Sequence, residues 1–487
     1  MSLRKQATSG LIWTFTQQFG NQLIGFVVSM ILARILLPEE FGLIGMIAIF
    51  LAVGKSLLDA GLTQSLIRSQ NLDQEDFSTV FYFNLAASIL IYIAIYLSAP
   101  LIANFYDQQI LINIIRLFCI TFIITAFSSV QMARLTKKMD FKTQTLIGLP
   151  STIVGGIVGV TMAFMDYGVW SLVWSSLVSS FLGTLQLWIY SKWTPSLVFN
   201  IKKFKDHFNY GYKLTLSGLL NTIFNNIYLI IIGKFFSPAQ VGFYTRAVTM
   251  KQLPVDNISS ALNKVTFPLF ASIQDDNIRL KRVYKQLMQM VVFIIAPILI
   301  FLGVLAEPTF RLLFTEKWLP AVPYFQILCV TGILFPIHSY NLNVLKVKGR
   351  TDLILKLQII KKVQVVLVIL VSIQFGIYGL LYGQVFLSLS VFFINAFYTN
   401  RFINYSAWEQ TKDITPIIFT AAIAGLMVYI EDYYLNSNFD ILRILIGGTL
   451  GVISYLILCK LFRIDSLNYF KNLINSIRKK KNKNKGT

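Results

Sequence analysis

The sequence predicts an all-α polytopic membrane protein with about 14 transmembrane helices, and composition is the first observation that predicts it. Of 487 residues, 55% are hydrophobic and 13% are charged, which lies outside the range of soluble globular domains. Apolar stretches of about 20 residues recur along the chain, each long enough to cross the hydrocarbon core as a helix. Because a bilayer offers the backbone no hydrogen-bond partners, these stretches must be helical.

The first six spans fill the N-terminal part of the chain, and the first begins after Arg4 and Lys5. Its apolar run is too long for the core of a signal peptide and lacks a small-residue cleavage site, so it stays as a helix. These predicted spans are 11–33, 41–64, 80–103, 110–132, 146–166 and 168–190.

The longest polar connection follows the sixth span, over residues 191–212. It is basic and aromatic, which predicts a joint lying amphipathically at the cytoplasmic surface. Six further spans follow, at 213–235, 247–271, 287–307, 321–343, 354–374 and 377–399, and two more at 414–431 and 441–461.

The second observation is the distribution of charge. The chain has 43 Lys and Arg against 22 Asp and Glu, and the excess gathers at the termini and in the even-numbered loops. The positive-inside rule then predicts that both termini are cytoplasmic. The tail from Arg478 to Lys485 is expected to anchor this topology and to touch anionic lipids. Because most of the basic residues lie in these loops and termini, the excess of positive charge gives no reason to expect nucleic acid as a partner.

The third observation is a repeated corner, "ARILLPEEFGLIG" from Ala33 and "GKFFSPAQVGFYT" from Gly233. Six spans separate the copies, so both have the same orientation, which predicts a parallel pseudo-twofold repeat of two six-helix bundles around a central cavity. The residues that match between the two copies are Arg34 with Lys234, Pro38 with Pro238, and Gly42 with Gly242.

The predicted organisation follows from this repeat. Two bundles are joined by a basic segment. Two additional helices and a basic cytoplasmic tail follow the second bundle. The predicted boundaries are 1–190 for the first bundle, 191–212 for the joint, 213–400 for the second bundle, 401–462 for the two additional helices and 463–487 for the tail.

Charged residues inside spans are the best functional candidates, because each is costly in hydrocarbon unless it faces protein or water. In span two, Lys55 and Asp59 are four residues apart on one helical face, with Ser56 and Thr63 beside them. This face either lines a hydrated cavity or forms a neutralised pair that fixes helix packing.

Span eight is the most polar of the fourteen. Asp256, Ser260, Asn263 and Lys264 follow helical spacing and form a stripe bracketed by Pro254 and Pro268. The stripe predicts the lining of a cavity, and the alternative is an interfacial helix that never crosses the membrane. The candidate cavity residues of this span are Lys251, Asp256, Asn257, Asn263 and Lys264.

Three cations mark the outward helix ends: Arg34, Lys234 and Arg246. Such residues commonly extend to the lipid headgroups as anchors. Across a central cleft they would also suit a diphosphate or an acidic sugar, which cations bind by charge-assisted hydrogen bonds.

Enzymatic classes have little support. His207 and His338 have no partner at catalytic or metal spacing, the three cysteines are far apart, and no Gly-rich phosphate loop is present. The sequence therefore predicts no catalytic residue, metal site or cofactor. Transporters commonly place a substrate path between repeated halves, and a cation gradient or the membrane potential is then a candidate energy source.

Several motifs together resemble the polysaccharide and O-antigen flippases of the multidrug/oligosaccharidyl-lipid/polysaccharide exporter superfamily, in the branch that exports teichuronic and colanic acids. The motifs that carry the resemblance are "ARILLPEEFGLIGM", "DAGLTQSLIR", "FSTVFYFNL", "IIGKFFSPAQVGFYTRA", "LPVDNISSALNKVTFPLFASIQDD", "EKWLPAVPYFQIL" and "KGRTDL".

The resemblance implies movement of an undecaprenyl-diphosphate-linked oligosaccharide from the inner to the outer leaflet by alternating access. It implies that Arg34, Asp59 and Arg246 lie on or beside the cavity, and that polysaccharide polymerase or assembly proteins are partners. Many family members carry an Asp just before "IIG" in the seventh span, where this chain has Tyr228. That departure removes the carboxylate that ion coupling at this position would need.

Three alternatives stay open at this point. A cation-coupled multidrug exporter would need an acidic cavity and normally twelve spans, and a glycan polymerase or ligase would need a large outward loop. A lipid II flippase is a close variant of the main prediction.

Overall fold

The computed structural model describes residues 3–59, 61–435 and 439–471, and every regular element in these ranges is helical. Most of the predicted basic tail, from residue 472 onward, lies outside the described residues, as does the side chain of Asp59. The first ten helices are α1 (Leu3–Ile35), α2 (Pro38–Asp59), α3 (Leu62–Arg68), α4 (Gln74–Tyr106), α5 (Leu111–Phe118), α6 (Ile120–Lys137), α7 (Phe141–Phe164), α8 (Trp170–Ser191), α9 (Ile201–Asn225) and α10 (Ile227–Phe235).

Eight further α-helices follow, with 3₁₀ turns at Glu316–Ala321 and Ile373–Phe375. They are α11 (Pro238–Ser272), α12 (Asn277–Val304), α13 (Ala306–Phe314), α14 (Val322–Val347), α15 (Thr351–Ser372), α16 (Gly376–Ile403), α17 (Ala407–Leu435) and α18 (Asp440–Leu461).

Eleven helical segments of the described residues are long and apolar enough to cross a membrane, or twelve if α9 and α10, bent by 43°, form one span. One segment, Thr351–Ile403, contains both α15 and α16, and the polar helix α11 is not among the eleven. The chain is a multi-pass membrane protein with an all-helical fold, as its composition predicts. The count of fourteen spans, and whether α11 crosses, stay predictions.

The chain divides into two compact units, unit 1 up to Thr245 and unit 2 from Arg246. The division falls inside α11, beyond the joint predicted at 191–212, because α9 packs on α2, α3 and α4 of unit 1. Only residues 192–200 of that joint are non-helical; Ser191 ends α8, and residues 201–212 form the first turns of α9. The bundle boundaries inferred from the repeat stay predictions.

In unit 1, α7 packs between α1 and α8, while α6 packs on α4 and α8. The helical path is interrupted between α2 and α3 at Gly61, whose φ of 71° is in the left-handed region. A Cβ on Gly61 would lie 2.6 Å from the Cα of Gly211, so only glycine allows α3 to pack this closely on α9. This break places α3 and the end of α2 around one polar cavity.

In unit 2, α14 packs on α12 and α16, and the additional helices α17 and α18 pack on α12 and on each other. Aromatic side chains fill much of this interior; Trp318, Tyr284, Tyr340, Tyr405 and Phe310 are among its largest fully buried side chains. Such large apolar surfaces, rather than ion pairs, account for most of the packing here.

The repeated corner has the same backbone structure in both copies. Leu37 N donates to Glu40 Oε2 at 2.7 Å, and Ser237 N donates to Gln240 Oε1 at 3.1 Å, each satisfying an amide at the start of a helix. The glycines meet reciprocally: a Cβ on Gly42 would lie 1.8 Å from Pro238 O, and one on Gly242 would lie 2.0 Å from Pro38 O. The first turns of α2 and α11 therefore touch each other backbone to backbone.

Candidate substrate cavity

Unit 1 contains a cavity of 750 Å³ between α2, α3, α6 and α9. Most of its polar lining consists of hydroxyl groups. The lining residues are Ala52, Lys55, Ser56, Leu58, Gly61, Thr63, Gln64, Thr125, Ser128, Ser129, Met132, Thr215, Gly218 and Thr222.

The hydroxyl groups of this cavity are held by their own helices. Ser56 Oγ donates to Ala52 O at 2.9 Å, Thr125 Oγ1 to Thr121 O at 2.7 Å, and Ser128 Oγ to Thr125 O at 2.9 Å. Because each O–H is used on a backbone carbonyl, these hydroxyl oxygens are left to act as acceptors through their lone pairs. A row of such acceptors is complementary to the hydroxyl donors of a sugar.

Lys55 supplies the charge of the cavity. Its side chain is exposed, and among the described lining residues it is the only charged one. The predicted partner Asp59 lies at the last residue of α2, but its side chain is outside the described residues. The arrangement suits a ligand that combines hydroxyl groups with at least one negative charge.

Unit 2 contains a smaller polar cavity of 360 Å³ between α11 and α14. Asn343 Nδ2 donates to Asn263 Oδ1 at 3.1 Å across it, and Lys346 adds a cation. Asn263 is thus the span-eight candidate that lines a cavity within its own unit.

The other candidates of span eight lie around this helix in different environments. Lys251 is half-buried, with its Nζ 3.4 Å from Thr331 Oγ1 on α14. Asp256, Asn257 and Lys264 are exposed, and Asn257 Nδ2 donates to Leu253 O at 2.8 Å. The predicted polar stripe is therefore accessible on a single long helix, and its role in binding substrate stays a prediction.

The three outward cations differ from one another in their surroundings. Arg34 is exposed in the last turn of α1, whereas Lys234 Nζ lies 3.2 Å from Asp107 Oδ2 and 5.3 Å from the ring centre of Phe105. Arg246 is 5% exposed, and its guanidinium lies 4.7 Å from the ring of Phe314.

The buried guanidinium of Arg246 also lies 4.9 Å from the ring of Trp318. These cation–π contacts stabilise the buried charge of Arg246 without any ligand. The ion pair with Asp107 does the same in part for the charge of Lys234. Binding of an anion by these three residues stays a prediction.

One polar cluster at the start of α9 was not predicted from the sequence. His207, 5% exposed, has its Nδ1 2.8 Å from Ser65 Oγ and its Nε2 3.2 Å from Asp76 Oδ1. Lys203 pairs with Asp73, which holds the pKa of the Asp73 carboxyl well below its usual range. The only signal in the sequence was the acidic run "DQED" facing a basic segment 130 residues later.

The cluster joins α3, α4 and α9 and thereby holds one end of the 750 Å³ cavity together. His207 fits the structural role that an isolated histidine usually has. Asp73 and Asp76 also cap α4 reciprocally, with Asp76 N donating to Asp73 Oδ1 at 3.1 Å and Asp73 N to Asp76 Oδ2 at 3.0 Å.

The chain is similar in sequence to proteins of polysaccharide biosynthesis. The chain is 28% identical to the teichuronic acid biosynthesis protein TuaB of Bacillus subtilis (strain 168), over 72% of this chain and 73% of that protein. It is 25% identical to the succinoglycan biosynthesis transport protein ExoT of Rhizobium meliloti (strain 1021), over 69% and 68%.

Among solved structures, the chain resembles the lipid II flippase MurJ in an inward closed conformation. The TM-score is 0.76 at 14% identity, over 93% of this chain and 99% of that one. This likeness shows that the two chains share a fold. The family model described as polysaccharide biosynthesis protein matches residues 31–323, more than half of the chain, and the chain therefore belongs to this family.

Proposed function

We propose that this protein, a membrane transporter and not an enzyme, flips an undecaprenyl-diphosphate-linked oligosaccharide from the inner to the outer leaflet of the bacterial cytoplasmic membrane. Its membership of the polysaccharide biosynthesis family and its similarity to a relative named as a transport protein support this class of function. The exporter fold supports alternating access, in which the substrate path opens first to one side and then to the other.

The observation that carries the proposal is the chemistry of the 750 Å³ cavity. A sugar hydroxyl moved into hydrocarbon without a partner loses several kcal/mol of hydrogen bonding, and an oligosaccharide has many. The serine and threonine oxygens of α2, α6 and α9 replace water as acceptors for these groups. The lipid tail needs no such replacement and stays in the bilayer.

Lys55 is the residue that we assign to the anionic part of the substrate. An ammonium group among neutral hydroxyls attracts a diphosphate or an acidic sugar by a charge-assisted hydrogen bond. The remaining predicted cavity cations, Arg34, Lys234, Lys251 and Lys264, would extend this attraction along the path.

Orientation and energy supply complete the proposal. The basic loops favour cytoplasmic termini, and the basic tail would bind anionic lipids. A cation gradient or the membrane potential would drive transport. Polysaccharide polymerase or assembly proteins would receive the product on the outer side.

A reconstituted flipping assay tests the function directly. Purified protein in liposomes is given a fluorescent undecaprenyl-diphosphate oligosaccharide, and a membrane-impermeant reagent measures how much reaches the outer leaflet. We expect Lys55→Gln to slow flipping about tenfold or more, because a hydrogen bond to a charged group contributes about 1.5–3 kcal/mol. Lys55→Arg keeps the charge and serves as the matched control.

Absence of flipping by the wild-type protein with every lipid-linked oligosaccharide tried would overturn the proposal. Export of cationic dyes in the same liposomes would favour the multidrug exporter instead. A strong preference for lipid II would favour the alternative of a lipid II flippase.

A further inference from the structure

A second polar cavity of unit 1 lies between α1, α7 and α8, beside the first turns of α2, and has a volume of 380 Å³. Half of its lining residues carry a hydroxyl group, and none of the described lining residues carries a charge. This cavity is termed the serine cavity. Its hydroxyl-bearing residues are Ser29, Thr152, Ser175, Ser176, Ser179 and Ser180.

Four of these hydroxyl groups, all on α8, are not used by the protein itself. A serine in a helix commonly donates its proton to the carbonyl four residues earlier, as Ser56 and Ser151 do in this chain. Among the described residues, the four serines of α8 form no hydrogen bond through their hydroxyl groups, and their side chains are half-buried. Each of these hydroxyls is therefore able both to donate to a ligand and to accept from it.

The four serines face the protein and not the lipid. The large exposed apolar residues nearest to them on α8 are Trp174, Phe181 and Leu185, which repeat at i, i+7 and i+11 and so share one face. At about 100° per residue, the serines lie on the opposite face of the helix. Their hydroxyl groups therefore open into the serine cavity rather than into hydrocarbon.

Close packing of three helices holds this cavity in shape. A Cβ on Gly155 of α7 would lie 2.6 Å from Ser175 O of α8, and a Cβ on Gly156 would lie 2.4 Å from Val28 Cγ2 of α1. Glycine thus lets α7 approach both neighbours closely, as small residues do between membrane helices. The walls that carry the hydroxyl groups are fixed before any ligand binds.

The serine cavity and the 750 Å³ cavity lie toward opposite ends of α2. Phe41 lines the serine cavity and is the fourth residue of α2, whereas Lys55 lines the larger cavity and follows fourteen residues later. At about 1.5 Å per residue, these two positions are about 20 Å apart along the helix. Because α2 begins on the outward side in the predicted orientation, the serine cavity is the outer of the two.

The lining favours an uncharged ligand that has both hydroxyl groups and an apolar face. A charged ligand would find no counter-charge among the described lining residues, and a charge in a membrane bundle is costly without one. A sugar ring combines hydroxyl groups at its edge with an apolar C–H face. The volume is at the small end of the usual range for ligand pockets, about 300–1,000 Å³, which suits one or two sugar rings. The apolar part of the lining consists of Val28, Leu32, Phe41 and Leu172.

We propose that the serine cavity binds a neutral sugar residue of the transported glycan, as a second station beyond the 750 Å³ cavity. The four free hydroxyls of α8 replace water for the sugar hydroxyls, as donors and as acceptors. The identity of the sugar as part of the transported glycan rests on the proposed function, whereas sugar binding in the cavity does not.

Binding is measured by saturation-transfer difference NMR on the full-length protein in phosphatidylcholine nanodiscs. The probes are the methyl glycosides of glucose, galactose, mannose and N-acetylglucosamine. We expect the wild-type protein to bind at least one of them. The double variant Ser176→Ala/Ser180→Ala should bind the same probe about tenfold more weakly, because it removes two hydrogen-bonding groups.

The matched control is the double variant Ser98→Ala/Ser191→Ala, which makes the same chemical change outside the cavity. Ser98 Oγ donates to Ala94 O at 2.7 Å on α4, and Ser191 is the last residue of α8. This variant should bind the probe as the wild type does. Weaker binding by the control, equal to that of Ser176→Ala/Ser180→Ala, would overturn the assignment to the serine cavity.

Thermal unfolding of the ligand-free protein separates a binding role from a structural one. Because the hydroxyls of Ser176 and Ser180 bond to nothing in the described protein, their removal should leave the unfolding temperature unchanged or slightly higher. A clearly lower unfolding temperature for Ser176→Ala/Ser180→Ala would assign these hydroxyls to the fold and overturn the proposal.

The remaining outcomes distinguish the cavity from the proposed function. Failure of the wild type to bind any of the four glycosides, or equal binding by wild type and Ser176→Ala/Ser180→Ala, would overturn the site even if flipping is observed. Sugar binding that the variant loses, in a protein that flips no lipid-linked oligosaccharide, would leave the site standing and reject the proposed function. Loss of sugar binding in nanodiscs that contain phosphatidylglycerol would place a lipid headgroup in the cavity and overturn its assignment to a glycan.

Discussion

The two copies of the repeated corner share their backbone but differ in their side chains. Both begin a helix at proline, both cap it with the side chain of the third residue after the turn, and both place glycine against the other copy. Their cations differ in exposure, because Arg34 is exposed whereas Lys234 is half-buried beside Asp107. The difference teaches that the repeat conserves the geometry of close approach more strictly than it conserves a binding group.

The largest expected effect comes from breaking the close approach itself. Gly42→Ala would place its Cβ 1.8 Å from a backbone oxygen that cannot rotate away. We expect a loss of about 1–3 kcal/mol in stability, as for overpacked sites, together with reduced flipping. Thermal unfolding monitored by tryptophan fluorescence measures the first, and the liposome assay measures the second.

Gly242→Ala should behave like Gly42→Ala, because its Cβ would meet the matching carbonyl at 2.0 Å. The control is Gly448→Ala in α18, where a Cβ meets nothing within 4 Å. That substitution should be neutral or should stabilise the helix by up to about 1 kcal/mol. A Gly42→Ala protein as stable and active as the control would contradict the reciprocal contact.

An intermediate effect is expected from the caps, and it should differ between the copies. Glu40 adds a negative charge at the N-terminus of α2, and Leu37 at the capping position has no polar side chain. In the second copy Ser237 Oγ accepts from Gln240 N at 3.3 Å, so this turn keeps one cap when Gln240 is changed. Glu40→Ala should therefore cost about 1 kcal/mol, and Gln240→Ala about half of that.

Unfolding temperatures of Glu40→Ala, Glu40→Gln and Gln240→Ala measure this difference on one scale. Glu40→Gln keeps the acceptor and should lose only the charge contribution. Equal losses for Glu40→Ala and Gln240→Ala would show that Ser237 and the helix dipole do not distinguish the two corners.

The smallest expected effect concerns the ion pair of the second corner. The carboxylate of Asp107 is largely exposed, so Lys234→Gln should change stability by less than about 1 kcal/mol, and less still at high salt. Asp107→Asn is the matched change, because Asn tolerates the left-handed φ of 55° found there. A double-mutant cycle at low and high salt isolates the pair.

If Lys234 binds substrate rather than anchoring the helix, the two variants of this pair will separate. Lys234→Gln would then slow flipping while Asp107→Asn would not. Equal, small effects of both variants would assign Lys234 to the anchor role.

The candidate cavity of unit 1 could be partly inferred from span two alone. Lys55 and Ser56 are one residue apart and Thr63 follows two turns later, so their association with one polar face was visible in the sequence. The contributions of Thr125 and Thr215 were not, because these residues are distant along the chain and meet only when α6 and α9 pack beside α2 and α3.

The surroundings of Arg246 and His207 likewise could not be inferred from the local sequence. A cation near a helix end looks like an anchor or a ligand group, and nothing local reveals the rings of Phe314 and Trp318 that cover Arg246. His207 follows a basic run, yet its partners Ser65 and Asp76 are more than a hundred residues earlier. Such contacts depend on which helices become neighbours, and apolar periodicity does not encode this.

The sequence by itself determined that the chain is helical and crosses the membrane several times, because apolar length and the cost of unpaired backbone in hydrocarbon leave no other regular structure. It also determined the repeated corner, since proline, glycine and a capping side chain act within a few residues. Only the tertiary structure decided that the two glycines touch and that hydroxyls from separate helices line one cavity. These outcomes depend on packing between distant segments, where the position of one helix against another decides which side chains meet.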